Sequence, residues 1–280
     1  RPQSALGEWL DQIAESNAAY AEANPDEYVA PFAVNLIVHR SNDRLAEDLA
    51  TVVEHKVPIV ITSLGAREDV NEAIHSYGGI VLHDVINNEF ARKAISKGAD
   101  GLIAVAAGAG GHAGTQSPFA LVQEIREWFD GPLLLSGAIA HGRSVLAARA
   151  AGADLAYVGS AFLATEESRA TDGYKQMIVD SSAADIVYSN LFTGIHGNYL
   201  RGSIEAAGMD PDNLPESDPS AMDFGSGGAS DSKAWRDIWG AGQGVGAVTS
   251  SGTTRELVDR LRGEYREALE TLTNSTVGAR

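Results

Sequence analysis

Apolar residues along this chain fall into short continuous runs, separated by stretches with helical spacing. The first run is 31–38 (PFAVNLIV). After it, Leu45, Leu49, Val52 and Val53 share one helical face. Further runs stand at 58–63, 79–85, 101–105, 132–137 and 155–159, with helices predicted around 70–77, 88–97, 118–129 and 143–151. A strand with one wet face alternates apolar and polar residues. These runs do not alternate, which predicts strands buried on both faces, as in a parallel sheet with helical crossovers. Six strand–helix units result. A doubly wound open sheet and a (β/α)₈ TIM barrel both fit. The barrel is the expected fold. It needs eight units, so the first two βα units are expected upstream of Arg1, and a start at Arg agrees. The alternative is an open sheet that begins here. Before Pro31 the chain reads as a helix through Leu6, Leu10, Ile13 and Ala14, then a loop at Asn24-Pro25-Asp26.

Beyond residue 180 the pattern changes. Residues 181–207 are expected to be mostly helical, and 208–233, rich in Pro, Gly, Asp and Ser, to form a long surface loop or lid. Trp235 and Trp239 stand four apart, the spacing of a packed helix face. Residues 253–272 predict an amphipathic terminal helix with Leu257, Leu261, Tyr265, Ala268 and Leu272 on one side. The expected organisation is a barrel core over 1–180, with 181–280 returning to it rather than forming an independent domain.

Composition narrows the function classes. Of 280 residues, 44% are hydrophobic, enough to bury a sizeable core, and 30 glycines suit an enzyme with many tight loops. Cys is absent, which removes disulfides, thiolate metal sites and a Cys nucleophile. A reducing cytoplasm is the plainest setting. No apolar run is long enough to span a bilayer, and no signal peptide is visible. The net charge of −17 argues against nucleic acid or an anionic membrane as partner. It fits either an ordinary acidic surface or a high-salt cytoplasm.

The chemistry-bearing residues gather after the strands. Residues 108–114 read GAGGHAG and follow the run GLIAV directly. Loops after strands build the active face of a barrel. Gly110 and Gly111 let backbone approach a ligand closely, and His112 among them can serve as a base or hydrogen-bond donor near neutral pH. A glycine-rich turn with a solvated His is the plainer reading. The glycine spacing is not that of a dinucleotide fingerprint. Ser136-Gly137-Ala138 and Gly159-Ser160 end two successive strands, the seventh and eighth of a barrel, where phosphate is often held by backbone N–H groups. Either alone is ordinary turn chemistry; together they point to phosphate. Asn35 ends a strand among apolar neighbours, where an amide can meet a cofactor ring or merely satisfy backbone. Gly242-Gln243-Gly244 is either a ligand approach or a tight packing turn. His83 and Asp84 stand at a strand end, where a side chain can point into a barrel. His141 and His196 read as surface or core histidines. No nucleophile elbow, metalloprotease helix or cluster with metal-ligand spacing occurs.

At these residues the sequence resembles the nitronate monooxygenase, or 2-nitropropane dioxygenase-like, family. The carriers are PFAVN at 31–35, GAGGHAG at 108–114, 136–168 (SGAIAHGRSVLAARAAGADLAYVGSAFLATEES) and AGQGVG at 241–246. The resemblance implies an FMN-binding barrel that oxidises alkyl nitronates or nitroalkanes with O₂ to a carbonyl compound and nitrite. It implies that His112 handles the nitro group or α-proton and that Gly110 and Gly111 line FMN. Gly137, Ala138, Gly159 and Ser160 would hold its phosphate, with Asn35 and Gln243 near the ring. Val105 and Gly108 stand where many members carry Gln and Glu, and Ala138 where Gly is usual, so this is a divergent branch. An FMN-dependent enoyl-thioester or other NAD(P)H-linked reductase on the same barrel is the alternative. A non-flavin barrel and a module without catalysis are weaker ones. The expected partners are a small-molecule substrate and O₂, with a homodimer as one open form of assembly.

Overall fold

The computed structural model describes residues 4–217 and 237–277. Two compact units are present. One is drawn from residues up to 85 and from 89–102, the other from 86–88 and from 103 onward.

The first unit holds α1 (Ser4–Ala23), β1 (Ala33–Ile37), α2 (Leu45–Glu54), β2 (Ile59–Ser63), α3 (Glu68–His75), β3 (Ile80–Val85), most of α4 (Asn88–Ser96) and the start of β4 (Gly101–Val105). Its strands pair in parallel, with Asn35 opposite Ile61 and Thr62 opposite His83. Side chains alternate between the two faces of a strand. Leu36, Val60, Thr62, Val81 and His83 share one face, and all are buried. That is the helix-covered face, under α2 and α3, whose Val52, Val70 and Ile74 are fully buried. Asn35, Ile61, Ser63, Leu82 and Asp84 share the other face.

The second unit continues with β5 (Gly111–His112), α5 (Pro118–Arg126), β6 (Leu133–Ser136), α6 (Gly142–Ala150), β7 (Leu155–Tyr157), α7 (Ser160–Leu163) and α8 (Asp172–Asp180). Then come β8 (Ile186–Ser189), β9 (Gly197–Leu200), α9 (Arg201–Ala206) and α10 (Thr254–Val277), with 3₁₀ turns at Ala183–Asp185 and Gln243–Ala247. The six predicted strands all form and make one sheet in the order β1-β2-β3-β4-β6-β7, which is the α/β class expected.

One device recurs in both units. Gly98 and Gly152, at φ +91° and +114°, lead out of α4 and α6 through Gly-Ala-Asp. Positive φ is cheap only for glycine. The Asp that follows then ties the start of an earlier strand: Asp100 accepts from the Val81 N–H at 2.7 Å, and Asp154 from the Leu133 N–H at 2.8 Å. Arg126 closes the second tie onto Asp154 at 2.6 Å.

Residues 181–207 differ from expectation. Only α9 is α-helical there; β8 and β9 pair antiparallel, and β9 also pairs with β5. Ile186-Val187-Tyr188 is β-branched and aromatic, a strand composition too short to show a period. The loop at 208–217 begins at Gly208, φ +80°, and Asn190 holds Ser217 through both amide atoms at 3.1 Å. The rest of the expected lid, and Trp235, lie outside the described residues. Trp239 stacks on Tyr174 at 5.0 Å. The predicted terminal helix, α10, docks on α6. A Cβ on Gly142 would stand 2.2 Å from the Tyr265 nitrogen, and Glu264 accepts the Gly142 N–H at 2.7 Å. No described helix is long and apolar enough to cross a membrane.

Candidate functional site

The glycine-rich loop after β4 is held from several sides. Gly108 turns at φ +83°, and its carbonyl accepts from Ala138 N–H at 3.1 Å and Gln243 N–H at 2.9 Å. The loop at 241–244 therefore packs backbone on backbone: a Cβ on Gly242 would sit 2.5 Å from the Gly108 oxygen, and one on Gly244 2.9 Å from the Ala138 carbonyl carbon. The packing reading of Gly242 and Gly244 is the one these contacts carry. Asn198, 3% exposed, donates to the Ala109 carbonyl at 2.6 Å and fixes the loop from β9. Gly242 donates its N–H to Ser160 Oγ at 2.8 Å.

These backbones surround a cavity of about 330 Å³ lined by Gly108–Gly111, Ser136–Ile139, Gly159 and Ser160, with Tyr157 and Tyr174. Such a volume falls in the range of small-molecule pockets. Gly111 and Gly159 have open space where a Cβ would stand. Among the described residues the lining has no acidic side chain. Its polar groups are backbone N–H groups, the Ser136 and Ser160 hydroxyls and the first turn of α7, whose leading N–H groups have no helical partner, while the Ala138 N–H is given to Gly108. Ala138 holds φ +54°, the left-handed region, and so keeps the tight turn that a Gly would make. This donor set fits the phosphate of a mononucleotide such as FMN, because anions are held by N–H dipoles without side-chain bulk. Tyr174 donates its hydroxyl to the Gly240 carbonyl, and burial pushes its pKa up to about 12.

His112 follows the cavity loop on β5, opposite Gly197 on β9. A Cβ on Gly197 would stand 2.9 Å from the Gly111 oxygen, so only glycine admits this pairing. The His112 Nε2 meets Thr193 Oγ1 at 2.8 Å, and Thr193 donates to the Ile195 carbonyl at 3.0 Å. With the Thr193 proton on Ile195, the matching His112 tautomer is the one that donates Nε2–H and carries its acceptor lone pair on Nδ1. Burial lowers the His112 pKa, which favours the neutral ring. Tyr199 packs edge-on against Phe192, and burial raises its hydroxyl pKa against the opposing pull of Thr193.

The structure thus gathers Gly110, Gly111, Gly137, Ala138, Gly159 and Ser160 around one cavity, with His112 next in chain and the Gln243 side chain against Gly108. Asn35 belongs to the other unit, at the centre of β1 rather than its end. It donates Nδ2–H to Ser63 Oγ at 2.8 Å, and Ser63 donates to Asp84 Oδ2 at 2.6 Å. His83 and Asp84 do not point the same way. His83 meets Thr62 at 2.6 Å on the helix-covered face, where burial draws its pKa down to about 4. Burial pushes Asp84 up to about 6, against the pull of the Ser63 hydrogen bond. His141 caps α6 by accepting the Arg143 N–H at 3.1 Å, and His196 stacks on Tyr188 at 5.0 Å. Thr193, Asn198 and Tyr174 carried no signal in the sequence. No group of side chains able to hold a metal occurs among the described residues.

Residues 5–264 match the family described as nitronate monooxygenase. A nitronate monooxygenase of Paraburkholderia phytofirmans is 29% identical over 240 residues, covering 80% of this chain and 65% of that protein. The chain therefore spans just under two thirds of that relative. Among solved structures, nitroalkane oxidase from Streptomyces ansochromogenes is similar with a TM-score of 0.74 and 25% identity, over 86% of this chain and 82% of that one. A mutant of FabK from Thermotoga maritima is similar with a TM-score of 0.73 and 26% identity, over 94% and 84%.

Proposed function

Because the chain belongs to the nitronate monooxygenase family, we propose that it is an FMN-dependent oxidoreductase that oxidises alkyl nitronates or nitroalkanes with O₂ to a carbonyl compound and nitrite. The observation that carries this reading is the loop 108–114, in which a glycine-lined cavity is followed directly by a half-buried His whose pKa is lowered by burial. The chemistry FMN supplies when bound is transfer of electrons from the substrate to O₂. Gly137, Ala138, Gly159 and Ser160 hold its phosphate, and Gly110 and Gly111 line its body, with open space at Gly111. Gln243 is a ring contact, and Asn35 is kept as one on the resemblance alone. His112 is the catalytic base: Nδ1 takes the α-proton of a nitroalkane, or the ring once protonated holds a nitro oxygen. A cavity without carboxylates suits an anionic nitronate as well as a phosphate.

The parent fold in this reading is the (β/α)₈ barrel. The described residues after 180 fall in one compact unit with 103–180 and in this reading return to the barrel core instead of forming an independent domain. Small-molecule substrate and O₂ are the partners, a homodimer the assembly and the cytoplasm the setting. A second reading, an enoyl-thioester or other NAD(P)H-linked reductase, draws on the nearly equal likeness to FabK. The test is the visible spectrum of the purified protein, followed by nitrite release from a primary nitronate. Flavin bands, FMN on denaturation and nitrite support the proposal, with nitrite lost in His112→Ala. Anaerobic bleaching by NADPH without nitrite favours the reductase. A colourless protein that takes up no FMN overturns both.

A further inference from the structure

The face of the first unit's sheet that α2 and α3 leave uncovered carries a chain of three polar side chains running from an exposed amide to a largely buried carboxyl. Its polarity can be read atom by atom. An ionised carboxylate only accepts. Ser63 has one proton, so that proton goes to Asp84, and the Ser63 lone pair takes Asn35 Nδ2–H. The polar atom that Asn35 then offers outward is Oδ1. A protonated Asp84 gains a donor and so opens the reverse direction: it can donate to Ser63, which frees the Ser63 proton for Asn35 Oδ1 and turns the amide NH₂ outward. The heavy-atom spacings of 2.8 Å and 2.6 Å serve both directions.

We infer that Asn35, Ser63 and Asp84 form a hydrogen-bond relay in which the charge on Asp84 decides whether Asn35 offers an acceptor or a donor to a ligand. The ligand class is a planar heterocycle with N–H and C=O groups along one edge. Its identity as the flavin ring rests on the proposed function; the relay itself does not. Asp84 is a positioning residue that acts through Ser63 and Asn35.

The surroundings leave the switch to Asp84. Its register neighbours on β2 and β1 are Ser63 and Ile37, and one step back on the same face stand Leu82, Ile61 and Asn35. β4 reads Gly-Leu-Ile-Ala-Val and carries no titratable group. The charges of the neighbouring elements are engaged elsewhere: His83 with Thr62 on the opposite face, His75 of α3 with Asp100 at the start of β3, Glu68 with Lys97. Burial pushes the Asp84 pKa up to about 6, against the pull of the Ser63 hydrogen bond, so its charge changes within the range of ordinary buffers.

The test needs no cofactor. The side-chain NH₂ pair of Asn35 is followed by nitrogen-15 NMR from about pH 5 to about pH 8, a span that brackets a raised carboxyl. The pair is identified by its loss in Asn35→Asp. The expected result is a titration with a midpoint of about 6 in the unaltered chain, absent in Asp84→Asn and also in Ser63→Ala, which cuts the middle link. A pair that does not titrate, or that titrates unchanged in either variant, overturns the relay. FMN affinity, read by quenching of FMN fluorescence, should then change about threefold or more across the same range and lose that change in Asp84→Asn. Failure to bind FMN at any pH sinks the flavin reading alone.

Discussion

At His112 a single hydroxyl settles which nitrogen carries the proton. With its proton on the Ile195 carbonyl, Thr193 accepts from His112 Nε2–H. That bond strengthens when the ring is charged, because charge-assisted hydrogen bonds are the stronger ones. Thr193→Val therefore lowers the His112 pKa further and loosens the ring. The expected outcome is a roughly tenfold fall in kcat/KM, about 1.4 kcal/mol, with the acid limb of the pH–rate profile displaced to lower pH. A fall without displacement would mean that Thr193 only packs. The position of His112 was legible, because the glycine run that carries it follows the apolar run of β4 directly. Thr193 was not: it lies 81 residues away and arrives only through the pairing of β5 with β9.

At the scale of one strand, β3 places two neighbouring titratable side chains on opposite faces with opposite effects on stability. His83 is held neutral, so the unfolded chain binds its proton first, and stability is lost as pH falls from 6.5 toward about 4. Asp84 is held protonated, so stability is lost as pH rises from 3.8 to about 6. The two slopes largely cancel between those limits. Asp84→Asn removes one of them. Its stability relative to the unaltered chain should grow by on the order of 3 kcal/mol across that window, checked by urea unfolding at several pH values. A constant difference would show that Asp84 is solvated. The sequence marked β3 by its apolar run, but a run apolar on both faces conceals which face is which. Only the register with β2 reveals that Asp84 lies with Asn35 and His83 does not.

Over the whole chain, segments distant in sequence meet through glycine. Gly142, which opens α6, leaves no room for a Cβ against the backbone of α10. Gly142→Ala should cost about 2–3 kcal/mol, seen as a lower urea midpoint; an unchanged midpoint would show that α10 docks loosely. The charge of −17 acts over the same scale. Salt from about 0.01 M to about 1 M shortens the screening length from roughly 30 Å to 3 Å. The melting temperature should rise, by roughly 2–4 °C for each kcal/mol of repulsion relieved. No rise would show that the acidic groups are already balanced by neighbours.

The sequence by itself determined the six strands, the helices between them and the loop that bears His112. Those features are local: a run, a period or a glycine cluster is complete within a few residues. The tertiary structure alone decided that 186–200 forms a hairpin, that 241–244 locks the loop at 108, and that Asn35 reaches Asp84 through Ser63. Each depends on a pairing register or a backbone approach between distant segments. Such contacts are set by which surfaces bury together, and no short stretch of chain records them.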